Sequence, residues 1–328
     1  MAKQIVANQY KWKNLPRFHP SQASKTKWLW KDFIPERAIT FVIGDAGTFK
    51  SSFLLALCNA ISKGEPFLGL STRKRRVLYL DNENPQDVLA GRDKAMNLGL
   101  ETNDRFVLWS IYDGVPVPKI GGHKLRKIVR HSVTEGCRPL IVLDHWTTFL
   151  KPGDGGETTG QTTPILQELR RVCAIGATVV VLAHTLKWDK TMFYGGADIK
   201  DKTDVMHTFI YERQSDGDII RVDSVLKRHG GRRSFSIRPI VEKRDGRKQV
   251  TGFRFVKDGR KHERRIWMEK MRGLIKKHPN ASQRKLAVLA KDRLGIGRNR
   301  AEKLLNKYDG RHWKARPGLN RKQTYVLL

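Results

Sequence analysis

The sequence of 328 residues has little acidic charge, few cysteines and no long apolar run. Its longest apolar stretches, "PLIVL" at 139–143 and "ATVVVLA" at 177–183, have the length of a strand and fall far short of the roughly 20 residues that a membrane helix needs. The first residues, "MAKQIVANQYKWKNLPRF", lack the apolar segment of a signal peptide. We therefore expect a cytoplasmic protein with no membrane partner.

The three cysteines, Cys58, Cys137 and Cys173, are scattered, and none belongs to a C-x-x-C pattern. An odd number without such spacing excludes a disulfide framework and a cysteine-ligated zinc site. Each lies in an apolar context, so we expect core thiols in a reducing compartment.

The scarcity of acidic side chains leaves a large positive excess. The chain has 64 Lys and Arg against 32 Asp and Glu, a formal net charge of +32. An excess of this size is typical of proteins that bind a polyanion. We expect nucleic acid as the partner, and an anionic membrane surface is the weaker alternative.

The order of apolar and amphipathic segments predicts an α/β fold. Continuous apolar strands are predicted at 38–44, 75–84, 105–110, 138–146 and 177–184, with helical segments between them. Such strands indicate a mainly parallel twisted sheet with helices on both faces. After residue 205, short alternating strands predict an antiparallel extension of this sheet.

Changes in composition divide the chain into four predicted segments. These are a basic and aromatic N-terminal arm at 1–36, the α/β domain at 37–256, a basic linker at 257–265 and a small C-terminal domain at 266–328.

A glycine-containing loop, "GDAGTFKSS" at 44–52, follows a predicted strand and precedes a predicted helix. In a phosphate-binding loop, backbone N–H groups and the helix N-terminus hold phosphate oxygens. Lys50 would reach the β- and γ-phosphates of ATP, and Ser51 would offer a hydroxyl to Mg²⁺. The residues expected at the nucleotide are Gly44, Asp45, Ala46, Gly47, Thr48, Phe49, Lys50, Ser51 and Ser52.

The loop departs from the pattern G-x-x-x-x-G-K-[ST] at one position, because Phe49 stands where the pattern has glycine. Glycine is required there only if the backbone has a positive φ or if a side chain would strike the phosphates. We expect Phe49 to have a negative φ, to face away from the phosphates and to pack near the nucleotide pocket or a neighbouring subunit.

Polar side chains stand at the ends of three predicted strands. Asp144 ends "LIVLD", Glu83 follows "VLYL" and His184 ends "VVVLAH". The carboxyl ends of parallel strands meet at one edge of a sheet. We expect Asp144 to orient Mg²⁺, Glu83 to activate the attacking water, with Asp81 as the alternative base, and His184 to sense the γ-phosphate.

From about residue 25 to 235 the chain resembles the RecA-type P-loop ATPases of the hexameric helicase branch, and among them the RepA-like proteins of plasmids and phages. The matching blocks are "GDAGTFKSSFLLAL", "VLYLDNENPQDVLAGR", "PLIVLDHWTTFL", "ATVVVLAHTLK" and "YGGADIKDKTDVMHTF". The resemblance implies ATP and Mg²⁺ as cofactors and gives Glu83, Asp144 and His184 the roles of catalytic glutamate, Walker-B acid and sensor.

The resemblance also implies a homo-oligomer, a hexameric ring whose subunits complete one another's sites. Arg228, in "SVLKRHGG", stands where the family has the arginine finger that reaches the neighbour's ATP. Since Lys227 is adjacent, which of the two cations acts stays open, and both could instead contact the phosphate backbone or solvent.

In RecA-like rings, the loops after the fourth and fifth strands face the central channel, which implies DNA contacts at 151–163 and 186–202. The second loop combines cations with aromatic side chains, as a single-strand track does, and Lys187, Trp188 and Lys190 are its candidates. An ordinary mobile loop is the alternative.

Residues 257–328 hold 22 Lys and Arg against 6 Asp and Glu. The segment "SQRKLAVLAKDRLGIGRNRAEKLLNKY" predicts two helices, the first capped by Ser282, with a turn at 295–297, and a β-hairpin follows with its tip near Pro317. This pattern resembles a winged helix-turn-helix that reads duplex DNA, and a protein-docking module is the alternative. The predicted DNA contacts are Arg298, Asn299, Arg300, Lys303, Lys307 and Arg316.

Together these features predict an ATP-dependent nucleic-acid motor, a RepA-like hexameric DNA helicase acting in replication of a plasmid, phage or mobile element. Two alternatives stay open: a RecA/Sak-like recombination ATPase that forms filaments, and an ATP-switched DNA-binding loader or regulator that does not unwind.

Overall fold

The computed structural model describes residues 25–120, 123–150, 159–185, 199, 201–213, 218–226, 232–243, 250–258, 260–294, 296–317 and 323–328. The chain divides into two compact units, Met1–Val256 and Lys257–Leu328.

The first unit is built on a large sheet. A short antiparallel pair, β1 (Trp28–Trp30) and β2 (Ile34–Pro35), precedes it. The strands of the large sheet are β3 (Ile39–Gly44), β4 (Val77–Asp81), β5 (Phe106–Ser110), β6 (Leu140–Asp144), β7 (Thr178–Ala183), β8 (Val205–Glu212), β9 (Ile219–Leu226), β10 (Arg232–Lys243) and β11 (Val250–Lys257). Their order is β11-β10-β9-β8-β3-β7-β6-β4-β5.

The sheet is parallel from β8 to β5 and antiparallel where β9 pairs with β8 and with β10. The mainly parallel fold with an antiparallel extension is therefore confirmed. One detail differs from the prediction, because β8 is parallel to β3 and the antiparallel part begins only at β9.

Helices cover both faces of this sheet. The long helices among the described residues of the first unit are α1 (Lys50–Lys63), α2 (Gln86–Met96), α3 (His123–Thr134) and α4 (Thr159–Ile175). Alternate strand residues supply the two cores: Val42 packs with α1 on one face, whereas Phe41 and Ile43 pack with α3 and α4 on the other. Because both faces are buried, the central strands need continuous apolar sequence, which is the pattern that the prediction used.

The end of the predicted N-terminal arm belongs to the core of the first unit. Trp30 is 3% exposed, and its ring lies 5.1 Å from that of Phe33 and 6.0 Å from that of Phe53 in α1. The boundary predicted at residue 36 is wrong for residues 28–35, since their apolar side chains are more stable buried than in water.

The second unit consists of α5 (Arg260–Lys277), α6 (Gln283–Leu294), α7 (Arg298–Lys307) and an antiparallel pair, β12 (Trp313–Pro317) and β13 (Gln323–Leu327). Its core includes Leu286, Leu305, Trp313 and Tyr325. The Ser282 hydroxyl accepts a hydrogen bond from the Lys285 N–H at 3.3 Å, as the predicted cap requires.

The basic run at 257–265, predicted as a linker, contains regular secondary structure. Lys257 ends β11, and residues 260–265 form the first turns of α5. The reason lies in the composition, because Lys, Arg and Glu favour helix and no proline interrupts the run.

Among the described residues, no helix combines the length and the hydropathy that crossing a membrane would take. Cys58 and Cys173 are buried free thiols, as predicted, whereas Cys137 is a free thiol that is only half-buried.

Candidate nucleotide-binding site

The segment from Gly44 to Phe49 connects β3 to α1 and contains two glycines with different requirements. Gly47 has a φ of +75°, a conformation that favours glycine, although a Cβ there would meet open space. At Gly44 a Cβ would lie 2.6 Å from the carbonyl oxygen of Phe209 in β8. The two glycines therefore allow the loop to turn tightly against the neighbouring strand.

Lys50 begins α1 and folds its ammonium group back over the loop. Its Nζ donates hydrogen bonds to the carbonyl oxygens of Gly44 and Asp45, both at 2.7 Å, and to Thr48 Oγ1 at 3.2 Å. Burial lowers the pKa of Lys50 from 10.5 to about 8, while the charges of Asp144, Asp45 and Glu83 act in the opposite direction. These bonds place the ammonium group inside the loop, where it could meet a phosphate oxygen.

Asp144 ends β6 and is 1% exposed. Its Oδ2 accepts a hydrogen bond from the Tyr79 hydroxyl at 2.7 Å, and Ser51 is also hydrogen-bonded to this carboxylate. Burial raises the pKa of Asp144 to about 6, the charge of Asp81 adds to the rise, and the hydrogen bonds from Tyr79 and Ser51 oppose it. A hydroxyl and a carboxylate are ligands that suit Mg²⁺, so Ser51 and Asp144 are the pair that could hold it.

Asp81 and Glu83 lie near each other at the end of β4 but in different surroundings. Asp81 is fully buried and accepts hydrogen bonds from the backbone N–H groups of Glu83 at 3.0 Å and Asn84 at 2.7 Å. Its carboxylate therefore holds the turn that precedes α2. The Glu83 side chain is 44% exposed, and its Oε2 lies 3.9 Å from His145 Nδ1. Glu83 thus directs its carboxylate towards the open side of the site.

Two histidines complete this edge of the sheet. His184 follows β7, with its Nδ1 3.5 Å from Lys50 Nζ and its ring centroid 4.4 Å from that of His145. Burial lowers the pKa of both rings, that of His145 to about 4, so both are neutral near pH 7. Ligand atoms of Glu83, His145 and His184 lie within 4.8 Å of one another. Four predicted residues, Lys50, Glu83, Asp144 and His184, are therefore brought to one site.

His145 is not among the predicted site residues. Its Nδ1 is buried and has no hydrogen-bond partner among the described residues, whereas its Nε2 lies 3.3 Å from Thr147 Oγ1. The signal that could have identified it is its place directly after Asp144, at the carboxyl end of a parallel strand.

The backbone of Phe49 differs from the expectation, and its ring packs within the first unit. Its φ is +62°, in the left-handed region, so the predicted negative φ is wrong. The backbone keeps the conformation that a glycine would favour because the turn into α1 requires it. The ring stacks on Phe253 of β11 with centroids 5.4 Å apart and lies 5.9 Å from the ring of Tyr211 in β8. The side chain thus packs against β8 and β11.

The other predicted contacts fall in different parts of the chain. Arg228, Lys227, Lys187, Trp188 and Lys190 lie outside the described residues. In the second unit, the six predicted contacts from Arg298 to Arg316 are all exposed. A groove of about 460 Å³ at the start of α7 is lined by Lys291 and by residues 297–300. The Arg300 guanidinium lies 4.3 Å from the ring centroid of Trp267, which limits its freedom to reach a ligand.

Comparison with known proteins agrees with this geometry. The AAA domain family (AAA_25) matches residues 11–190, more than half of the chain. A solved structure described as an ATPase domain is 14% identical, with a TM-score of 0.50, and the match covers 73% of this chain and 95% of that one. Flagellar accessory protein FlaH from Methanocaldococcus jannaschii is 11% identical, with a TM-score of 0.45 and coverage of 68% and 90%. No curated protein matches the sequence.

The strand order, the loop between β3 and α1 and the polar strand ends are those of a nucleotide-binding α/β domain, and the sequence match extends from before β1 to beyond β7. The chain therefore belongs to the AAA domain family, and its first unit has the fold of a RecA-like P-loop ATPase.

Proposed function

We propose that this protein is an ATP-dependent DNA motor, a RepA-like hexameric helicase of a plasmid, phage or other mobile element. The observation that carries the proposal is that Lys50, Asp144, Glu83 and His184 lie together at the loop between β3 and α1. Each comes from the carboxyl end of a different parallel strand or from the helix itself, so the fold brings them together although they span residues 50–184.

Hydrolysis at this site would follow from the positions of the side chains. Lys50 would move from the carbonyl oxygens of the loop to the β- and γ-phosphate oxygens, which are better acceptors because they are charged. Ser51 and Asp144 would hold Mg²⁺, which neutralises charge on the phosphates. Glu83 would take the proton of the attacking water, and His184, beside Lys50, would contact the γ-phosphate.

Phosphoryl transfer depends mostly on positioning and on neutralising charge, and an arginine finger contributes about 10³–10⁵ in rate. We propose that Arg228, or the adjacent Lys227, supplies this cation to the site of a neighbouring subunit. Hydrolysis would then require assembly, which is how a ring couples ATP turnover to movement along DNA.

The second unit supports a DNA partner through its charge and its exposed side chains. We propose that α6, α7 and the β12–β13 hairpin act as a winged helix-turn-helix. Arg298, Asn299 and Lys303 of α7 would then face duplex DNA, with Arg316 on the hairpin beside it.

The experiment is fork unwinding together with ATP turnover, with and without single-stranded DNA. We expect unwinding that needs ATP and a single-stranded tail, and we expect Lys50→Ala to abolish turnover. Lys94→Ala, which removes an exposed lysine of α2, is the matched control and should behave like the wild type.

Two outcomes contradict the helicase assignment, and a third contradicts the assignment of the nucleotide site. Strand exchange without unwinding supports a recombination filament, and DNA-stimulated turnover with neither activity supports a loader or regulator. Turnover that survives in Lys50→Ala shows that the nucleotide site is elsewhere.

A further inference from the structure

A basic groove lies at the amino-terminal ends of the parallel strands, whereas the nucleotide site lies at their carboxyl ends. The groove has a volume of about 650 Å³ and is lined by seven Lys and Arg and two Glu, a net charge of +5. We call it the amino-edge groove, and its cations are Lys27, Arg73, Lys74, Arg75, Arg76, Arg105 and Arg138. It lies entirely within the first unit.

The parallel strands bring these cations together. Arg76 and Arg105 directly precede β4 and β5, and Arg138 stands two residues before β6. The Val77 N–H donates to the Arg105 carbonyl oxygen at 2.8 Å, and the Leu140 N–H donates to that of Arg76 at 2.9 Å. The three strands therefore start at the same level, and residues distant in sequence form one surface. Since β4 has five residues, this surface is about 17 Å from the nucleotide edge.

The two carboxylates neutralise only part of this charge. Glu36 binds Arg73 at 3.0 Å and also binds Arg75, while Glu135 binds Arg76 and lies 3.1 Å from His131 Nε2. The side chains of Lys27, Lys74, Arg105 and Arg138 are exposed and form no ion pair with any described residue. Like charges gathered in one concave surface raise the local potential and attract a polyanion.

The shape and composition of the groove favour nucleic acid over a membrane. Binding to a lipid surface uses apolar side chains beside the cations. Among the described residues, none of the exposed large apolar side chains lines the groove. A concave surface with several arginines suits a chain of phosphates, because the guanidinium group binds phosphate in a bidentate way.

We propose that the amino-edge groove binds the phosphodiester backbone of a nucleic acid strand, as a contact additional to those of the proposed motor. This proposal rests on the proposed DNA partner but not on ATP hydrolysis or unwinding. It implies that the first unit holds nucleic acid on the edge remote from the nucleotide.

The test compares two full-length variants that lose the same charge. The groove variant carries Lys74→Ala, Arg105→Ala and Arg138→Ala, and the control variant carries Lys94→Ala, Lys124→Ala and Lys127→Ala. All six side chains are exposed, and the three control lysines do not line the groove. Affinity is measured against salt for a single-stranded oligonucleotide, for a duplex of equal length and for vesicles of anionic lipid.

We expect the groove variant to reduce the slope of log affinity against log salt by about 2 for single strands or about 3 for duplex, which is the loss of three phosphate contacts. The control variant should keep the wild-type slope, and so should the charge-preserving set Lys74→Arg, Arg105→Lys and Arg138→Lys. Turnover of ATP without DNA should be unchanged in all three.

Equal losses in the groove and control variants, or no loss in either, overturn the groove as a nucleic-acid site while leaving the motor proposal intact. A loss confined to vesicle binding assigns the groove to a membrane and also overturns it. A wild-type protein that binds neither oligonucleotide overturns the groove and the DNA partner together.

Discussion

Phe49 gives the sharpest test of the loop geometry, because two substitutions separate its backbone from its ring. Its left-handed conformation, with φ of +62° and ψ of 20°, costs a residue with a Cβ about 1–2 kcal/mol relative to glycine. The ring offsets this cost through its contacts with Phe253 and Tyr211, and aromatic pairs contribute about 0.5–1.5 kcal/mol each.

Phe49→Ala removes the ring and keeps the strain, whereas Phe49→Gly removes both. We therefore expect Phe49→Ala to be less stable than Phe49→Gly by about 1 kcal/mol, which corresponds to a difference in Tm of about 2–4 °C for a unit of this size. The wild type should be at least as stable as the glycine variant, because the ring contacts match or exceed the strain.

The assay is thermal unfolding of the full-length protein, with ATP turnover as the second measurement. The glycine variant should keep its turnover, because the ring packs on β8 and β11 and Lys50 keeps its own contacts. An alanine variant as stable as the glycine variant would refute the left-handed backbone. A large gain of turnover in Phe49→Gly would instead show that the phenylalanine impairs the loop.

Three further predictions concern buried groups. Gly44→Ala should destabilise the protein by about 1–3 kcal/mol in chemical unfolding, since its Cβ would lie 2.6 Å from a backbone oxygen of β8, and an unchanged midpoint would contradict the close approach. Tyr79→Phe should raise the Mg²⁺ concentration that gives half-maximal ATP turnover about 10-fold or more, because Asp144 loses its 2.7 Å hydrogen bond. An unchanged Mg²⁺ titration would argue against Asp144 as the ligand. His207 has its pKa lowered by burial from 6.5 to about 3, so the unfolded chain takes up the proton first and stability is lost as the pH falls below 6.5. At pH 5 the loss is about 2 kcal/mol in the free energy of unfolding. In urea unfolding, the free energy of unfolding of His207→Gln should therefore fall by about 2 kcal/mol less than that of the wild type between pH 7.5 and pH 5.

Much of the fold was predictable because a parallel sheet covered on both faces leaves a strong local pattern. The five apolar strands and the end of α1 at Gly64 follow from the residues next to one another in sequence. Gly64 ends the helix with a φ of +78°, a conformation that favours glycine. The segment 28–35 was misassigned because its burial depends on Phe53 and Phe67, which lie far along the chain. Local composition could show that the segment is aromatic but not what it packs against.

The residues of the candidate site were predictable where a side chain directly follows an apolar strand. Their roles were less predictable where they depend on a hydrogen-bond partner or on a neighbour from another strand. The sequence left Asp81 as the alternative base to Glu83. The structure separates the two, because Asp81 is buried and accepts hydrogen bonds from the Asn84 and Glu83 N–H groups, whereas the Glu83 side chain is exposed. His145 was missed because its place beside His184 and Glu83 arises from the adjacency of β6, β4 and β7 in the sheet.

The sequence by itself determined the class of fold, the phosphate-binding loop, the strand ends that could serve it and the excess of positive charge. These are local properties, set by periodicity, by glycine and by residue type. Only the tertiary structure decided the backbone of Phe49, the partners of Lys50 and Asp144 and the assembly of Lys74, Arg105 and Arg138 into one groove. The physical reason is that strand register brings distant residues into contact, and register is the outcome of packing the whole sheet rather than of any one segment.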